Sequence, residues 1–389
     1  MGKDLRLLLL GGAHSLNHSL FVVAPPLLTL IMADLNVSKH VMGTVSTIAS
    51  FIYGFGALVG GPLGDKIGEA KTTLFFLLFS GFSTFLMLVA KEISSINVFA
   101  TSLILMAVGA SLYHPTANSL ISKTFKGRVS EAMGIHGVGG TLGVVLTPSI
   151  AWFIGSAFGW PSAFIIFGVL CVAFGLLFAR NFKLESVKRK HKSSGNIVEA
   201  FKVPEIWILL VFNMTIGLFT KGVELFFPTF FEENRFIHPM WASIAYTAIL
   251  TFGVFGQWIG GKSADKFGCK KTVIVATLGT CIALLSLLLL PVYIVGIAIF
   301  IAFYGFFFYA HQPALNALVG FLSPEGQRGT IYGIFFFSSF GLGSISQFTS
   351  GYLADMYGLD SAFYVLTIFS IVALLLSIKL PEKGRISQK

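Results

Sequence analysis

The chain is a succession of long apolar segments separated by short polar ones. Twelve apolar segments are long enough to cross a bilayer as helices, for which about 20 residues suffice. Apolar and polar positions do not alternate strictly within them, so the pattern predicts helices and not the strands of a barrel. The predicted fold class is therefore an all-α polytopic membrane protein. The predicted spans are residues 5–32, 41–63, 72–90, 96–122, 131–154, 161–180, 204–231, 241–262, 272–291, 294–320, 330–354 and 362–380.

The sequence also contains an internal duplication. Thirteen-residue segments that begin at Gly60 and Gly260 share seven identical residues, and further matches keep almost the same offset. Because six spans are an even number, the two halves have the same orientation and form parallel repeats. We predict an N-terminal six-helix bundle over 1–180, a basic cytoplasmic linker over 181–203, and a C-terminal six-helix bundle with a short tail over 204–389.

The distribution of charge sets the predicted orientation. Only 11% of the 389 residues are charged, and 27 Lys and Arg against 17 Asp and Glu give a net charge of +10. Such an excess could indicate a nucleic-acid-binding protein, but 23 of the 27 basic residues fall in alternate loops. This asymmetry follows the positive-inside rule. It predicts a multi-pass protein of the cytoplasmic membrane, with both termini in the cytoplasm and with lipids, not nucleic acid, around it.

The sequence offers no support for several kinds of chemistry. The cysteines Cys171, Cys269 and Cys281 are odd in number and widely spaced, so they predict neither a disulfide framework nor a metal site. The first apolar run has no cleavage site after a short core and predicts a retained helix. The nucleotide-binding pattern Gly-x-x-x-x-Gly-Lys-Ser/Thr does not occur, so ATP is not expected to drive the protein directly. We expect neither a cofactor nor a metal.

A glycine-rich loop motif occurs once in each half. The motif Gly-x-x-x-Asp-Lys-x-Gly-x-x-Lys follows predicted spans two and eight, and its acidic residues are Asp65 and Asp265. The doubled motif, the twelve spans and the duplication together resemble the major facilitator superfamily. This resemblance implies the major facilitator fold, with two parallel six-helix repeats, and transport by alternating access.

The two aspartates of this motif are predicted gate residues. A carboxylate at the cytoplasmic face can lie against the positive N-terminus of a helix in the other half. Such contacts exist only while the cytoplasmic side is closed, so they would bias the equilibrium between inward-facing and outward-facing states. The predicted gating set is Asp65, Lys66, Lys71, Arg128, Asp265, Lys266, Lys271 and Arg328.

Polar residues inside the spans are candidates for binding substrate and protons. A charge at the bilayer centre costs about 2.5–3.5 kcal/mol on insertion scales, so a charged residue inside a span indicates a functional role. In the resembled superfamily, spans one, four, seven and ten surround the central cavity, and these spans carry the polar groups here. The predicted substrate- and proton-binding set is His14, Asn17, His18, His114, Lys221, Glu224, His311 and Gln312.

Two short patterns narrow the resemblance further. His14-x-x-Asn17-His18 in span one and Tyr113-His114-Pro115 in span four resemble the fosmidomycin-resistance branch of efflux proteins. Two positions depart from related patterns. His18 stands where that branch has an aspartate, and Leu105 stands where drug/proton antiporters commonly have an arginine.

The charge balance of the spans guides the prediction of function. The charges of Lys221 and Glu224 cancel. The remaining ionisable groups are histidines, and histidine, with an unperturbed pKa of about 6.5, becomes cationic near that pH. We therefore predict a monomeric secondary-active transporter, not an enzyme, that exports a small anionic or amphiphilic organic solute, coupled to protons through Glu224 and His18. One alternative is uptake or exchange of an organic anion held by Lys221. The other is a non-transporting sensor or lipid-processing enzyme, which predicts a catalytic set or a soluble domain.

Overall fold

The computed structural model describes residues 3–125, 128–182, 184, 201–290, 293–323 and 328–382, and every regular element in these ranges is a helix. Within these ranges, twelve helical segments, some of them interrupted, are long and apolar enough to cross a membrane. The predicted fold class is thereby confirmed. The predicted linker over 181–203 lies largely outside the described residues.

The Cα positions divide the chain into two compact units. The first comprises Met1–Lys190 together with His238–Ser243, and the second comprises His191–Ile237 and Ile244–Lys389. Spans 1 to 6 belong to the first unit. Their helices are Lys3–Val22 and Leu28–Leu35 in span 1, Lys39–Ile67 in span 2, Glu69–Ser83 and Leu86–Glu92 in span 3, Ile96–Ser111 and Tyr113–Thr124 in span 4, Val129–Phe158 in span 5, and Trp160–Asn181 in span 6.

Spans 7 to 12 follow in the second half of the chain. Two of them are interrupted: a π-helical stretch divides span 10, and a short 3-10 turn divides span 11. Their helices are Pro204–Asn234 in span 7, Pro239–Phe267 in span 8, Cys269–Leu289 in span 9, Tyr293–Ile299, Phe300–Tyr304 and Gly305–Leu322 in span 10, Arg328–Phe340, Leu342–Ser344 and Ile345–Tyr357 in span 11, and Leu359–Ser377 in span 12.

Prolines and glycines break these helices where the sequence leads one to expect it. Pro25 and Pro26 form a 3-10 turn that interrupts span 1, which is the bend expected of a Pro-Pro pair. Gly68, Gly159, Gly268 and Gly358 have φ values of 103°, 85°, 93° and 85°, and each ends one span and begins the next. These four turns occupy equivalent places in the two halves, as the duplication predicts.

Spans 1 and 5 pack closely because glycines remove side chains from their interface. A methyl group at Gly139 would overlap the backbone of Gly11, and one at Gly143 would overlap the carbonyl of Ser15. Small residues are the usual means by which membrane helices approach one another. Spans 7 and 11 repeat the arrangement, since a methyl group at Gly217 would overlap the carbonyl of Ser339. This close approach brings side chains of span 5 against those of span 1.

We expect Gly268→Ala to lower the stability of the protein although it creates no collision. Nothing lies within 4 Å of a methyl group at Gly268, but its φ of 93° with ψ of 149° is a region that only glycine adopts readily. The expected cost is about 1–3 kcal/mol. Gly137→Ala is the matched control, because that site is also open and lies within a helix, where alanine is favoured by about 0.5–1 kcal/mol. The apparent melting temperatures in detergent test this, and equal values for both variants would contradict it.

Candidate functional site

A cluster of histidines lies in the first unit. His14 and His18 lie one turn apart on span 1, and their ring centroids are 4.8 Å apart. His114 of span 4 lies 5.0 Å from His14 and 5.3 Å from His18 between ring centroids. Ligand atoms of all three histidines fall within 4.8 Å of one another. The structure thus brings together three residues that the sequence analysis assigned to substrate and proton binding.

A fourth histidine completes the cluster, and the sequence analysis did not include it in the site. His136 of span 5 stacks on His14, with ring centroids 4.0 Å apart and ring planes 10° apart. Its Nε2 lies 3.0 Å from the hydroxyl of Tyr113, which in turn donates to the carbonyl of Leu10 at 2.7 Å. The sequence places His136 near the inner end of span 5. Only the packing of spans 1 and 5 reveals its contact with His14.

Hydrogen bonds fix which nitrogen of His14 carries the proton. Its Nδ1 lies 2.8 Å from the backbone carbonyl of His136, which only accepts, so Nδ1 is the donor. The Nε2 of neutral His14 is therefore an acceptor, and Nε2 of His18 lies 3.1 Å from it. Proton transfer between the two rings would need little movement.

Asn17 lies on the same face of span 1 but is fully buried. Its side-chain nitrogen donates to the carbonyl of Ala110 at 2.9 Å, and its oxygen accepts from Tyr53 at 2.9 Å. Both ends of the amide are thus engaged within the protein. Asn17 ties spans 1, 2 and 4 together beside the histidines, so its position indicates support of the site.

The second unit contains the predicted ion pair. Lys221 and Glu224 of span 7 are joined by a 2.6 Å hydrogen bond between Nζ and Oε2, with side chains 10% and 30% exposed. The ammonium also lies 3.8 Å from the ring centroid of Phe340 on span 11, a cation–π contact. Lys221 is thus held by two partners, while the carboxylate keeps a path to the surface.

Glu224 also lines a small cavity with mainly aromatic walls. The aromatic residues that line it are Tyr246 of span 8, Tyr304 and Tyr309 of span 10, and Phe227 and Phe308. The sequence analysis missed these tyrosines, because single tyrosines in apolar spans are ordinary packing residues. The cavity measures about 10 Å³, room for about one water molecule, so the structure shows an aromatic surface beside the carboxylate and not a formed solute pocket.

The two remaining residues of the predicted binding set, His311 and Gln312, have different hydrogen-bond partners. His311 is buried, and its Nδ1 donates to the carbonyl of Phe308 one turn earlier. Gln312 accepts a 2.9 Å hydrogen bond from the side chain of Gln257, which links spans 10 and 8. The two are neighbours in sequence but make separate contacts.

Most of the predicted gating residues are exposed at the ends of spans 2 and 8 or in the first turns of spans 3 and 9. Asp65, Lys66 and Lys71 are exposed, and so are Asp265, Lys266 and Lys271. Arg128 lies 3.6 Å from Glu131. The side chain of Arg328 lies outside the described residues. The gate therefore stays a prediction.

The loop motif of the first unit contains an ion pair that the sequence analysis missed. Glu69 is buried, pairs with Lys123 of span 4, and accepts a 2.8 Å hydrogen bond from Ser119. At the equivalent places in the second half stand Cys269, Ala317 and Phe321. A comparison of the two copies of the motif could have revealed this ion pair from the sequence. The second half has no acidic or basic residue at these three places, so the motif is anchored in this way only in the first half.

Twelve apolar spans in two repeated halves define the class as a polytopic membrane protein. The profile of the Major Facilitator Superfamily matches residues 7–348, and the chain belongs to that superfamily. The predicted family resemblance is thereby confirmed. Membership makes the chain a multi-pass membrane protein.

Individual relatives agree with this assignment. The riboflavin transporter RibZ of Clostridioides difficile (strain 630) is 25% identical, with 94% of each chain covered. The fosmidomycin resistance protein of Escherichia coli (strain K12) is 23% identical over 72% of this chain and 69% of its own. The crystal structure of the nucleoside transporter NupG has a TM-score of 0.78 at 16% identity, covering 96% and 98% of the two chains, which shows the shared fold. RibZ and NupG are transporters, in keeping with the prediction that the chain is not an enzyme.

Removing one partner of the Lys221–Glu224 pair should destabilise the protein more than removing both. A single change leaves an unbalanced charge among apolar groups, which typically costs about 3–5 kcal/mol, and the 30% exposure of Glu224 puts the expected value at the lower end. Lys221→Met and Glu224→Leu, each alone, should therefore lower the melting temperature more than the double variant does. Additive losses would show that the two side chains do not interact energetically.

Proposed function

We propose that this protein exports a small amphiphilic organic solute across the cytoplasmic membrane in exchange for protons, by rocker-switch alternating access. The observation that carries the proposal is the placement of Glu224. It is a partly exposed carboxylate inside a membrane span, held by Lys221 and facing an aromatic cavity. An ionisable group in such a place has a functional role by default, because its insertion is costly.

The chemistry of exchange follows from competition at Glu224. The ionised carboxylate only accepts hydrogen bonds, so it would receive them from hydroxyl or amide groups of a solute stacked on the aromatic walls. Protonation of the carboxylate removes an acceptor and weakens that binding. Solute and proton then occupy the site alternately, which is the requirement for exchange.

The histidine cluster supports a second proton-binding step. Histidine is the side chain that exchanges its proton nearest to neutral pH. His18 and His14, with ring nitrogens 3.1 Å apart, could hold and pass one proton within the first unit. One charge moved across about 100 mV supplies about 2.3 kcal/mol. That energy supports a solute gradient of about fifty-fold.

Uptake of an organic anion is the second candidate, and the ion pair favours it for a charged solute. When Glu224 is protonated, Lys221 loses its counter-charge and becomes available to a carboxylate or phosphonate of the solute. Proton and anion would then bind together and move in the same direction. The two candidates therefore differ in the direction of solute flux relative to proton flux.

Transport by purified protein in proteoliposomes tests the proposal. A thermal-shift screen of neutral amphiphiles, organic anions and riboflavin selects the solute. We expect an imposed pH gradient to drive that solute against the direction of proton movement, and we expect Glu224→Gln to abolish the response to the gradient. Glu92→Gln, which changes an exposed carboxylate at the end of span 3, is the matched control and should behave as the unmodified protein.

Three results would decide against this mechanism. Solute moving with the protons supports the anion-uptake alternative. A full response to the pH gradient in Glu224→Gln removes Glu224 from the coupling. Flux that ignores the gradient excludes proton coupling altogether.

The gate is a further part of the proposal. Asp65 and Asp265 lie exposed in the last turns of spans 2 and 8, where a carboxylate can interact with a helix N-terminus. Such an interaction contributes about 0.3–1 kcal/mol. Asp65→Asn should therefore shift the ratio of inward-facing to outward-facing molecules by about twofold to fivefold. Distances between spin labels on the two halves report this ratio. The control is Asp355→Asn, which changes an exposed aspartate in the last turn of span 11. An unchanged ratio in Asp65→Asn would refute the gate.

A further inference from the structure

The histidines of the first unit have a geometry that proton transfer alone does not require. His14, His18 and His114 come from two spans, and their ligand atoms converge within 4.8 Å. Nε2 of His18 donates its hydrogen to Nε2 of His14, so the positive end of an N–H dipole lies between these two rings. A metal cation can take that place when His18 adopts its other tautomer, with the hydrogen on Nδ1 and the lone pair on Nε2.

We infer that His14, His18 and His114 form a binding site for a late first-row divalent metal ion, such as Zn²⁺, Ni²⁺ or Co²⁺. Imidazole nitrogen is a preferred ligand of these ions, whereas Mg²⁺ and Ca²⁺ prefer oxygen. Two histidines four residues apart on one helix face form a recurrent zinc-binding pair. The site lies beyond the proposed transport function and does not depend on it.

The distances between the rings suit such an ion. The two Nε2 atoms of His14 and His18 are 3.1 Å apart. Two nitrogens bound to one tetrahedral zinc, each about 2.1 Å from it, are separated by about 3.4 Å. The ligand atom of His114 lies within 4.8 Å of the other two, so its ring must move closer to reach the same distance. Three nitrogen ligands leave the ion a position for water, and the three half-buried histidines provide access for it.

The surroundings of His14 match those of a metal ligand. Histidine ligands usually donate their second ring N–H to a carbonyl or carboxylate, which fixes the tautomer and the ring orientation. His14 donates Nδ1–H to the carbonyl of His136 at 2.8 Å, which leaves Nε2 as the ligand atom. The ring of His136 stacks on it at 4.0 Å and holds its plane.

Gly140 makes room for this arrangement. A methyl group at Gly140 would lie 2.5 Å from Cε1 and 2.6 Å from Nδ1 of His14, so an alanine would displace the ring. Gly137 lies on the same span, and a methyl group there meets nothing within 4 Å. The two glycines therefore provide a positioning variant and its matched control.

Titration of the purified full-length protein with Zn²⁺, followed by calorimetry, tests the site. The affinity tag must contain no histidine. We expect one Zn²⁺ per chain, loss of that binding in His114→Gln, and binding weakened about tenfold or more in Gly140→Ala. Gly137→Ala and His311→Gln, which changes a buried histidine of the other half, should bind as the unmodified protein does.

Co²⁺ absorption keeps the test decisive when a variant folds poorly. His114→Cys retains a ligand, so it should still bind Co²⁺ and should add a thiolate-to-cobalt charge-transfer band in the near ultraviolet. That band would place the ion at residue 114 directly. The proposal is overturned when the unmodified protein takes up no Zn²⁺, or when His114→Gln and Gly140→Ala both bind it with unchanged affinity.

Discussion

The bilayer imposes one constraint from which most of this structure follows. Backbone N–H and C=O groups find no water in the hydrocarbon region, so each must be bonded within the protein. Helices satisfy that requirement segment by segment, and polar side chains must then find partners inside the protein. Asn17, with both ends of its amide engaged, and Lys221, held by Glu224 and Phe340, are two solutions to the same problem.

The duplication supplies a common scaffold, and the chemistry has diverged between its halves. The four positive-φ glycines and the glycine-mediated contacts of spans 1 with 5 and 7 with 11 are shared. The first half combines this scaffold with four clustered histidines and an anchored loop at Glu69. The second half combines it with an ion pair beside an aromatic cavity. The repeated residues therefore support packing, and the residues that differ between the halves are the candidates for function.

Sequence reasoning located polar residues well but could not determine their partners. His14 and His18 were both assigned to the binding set, and helical spacing places residues i and i+4 on one face. His136 and the tyrosines around Glu224 were missed because their importance depends on contacts between spans far apart in sequence. The Lys221–Glu224 pair was predicted correctly, since both residues lie on one helix.

The sequence by itself determined the class of the protein: twelve apolar helices, an internal duplication, a doubled loop motif and a distribution of charge that predicts its orientation. These features are local or periodic, so they can be read along the chain without knowledge of helix packing. Only the tertiary structure decided which polar groups meet, because glycine contacts between spans 1 and 5 set how close His14 and His136 come. Side chains from separate helices meet only when those helices approach closely and are rotated suitably. No sequence pattern within one segment specifies that approach or rotation.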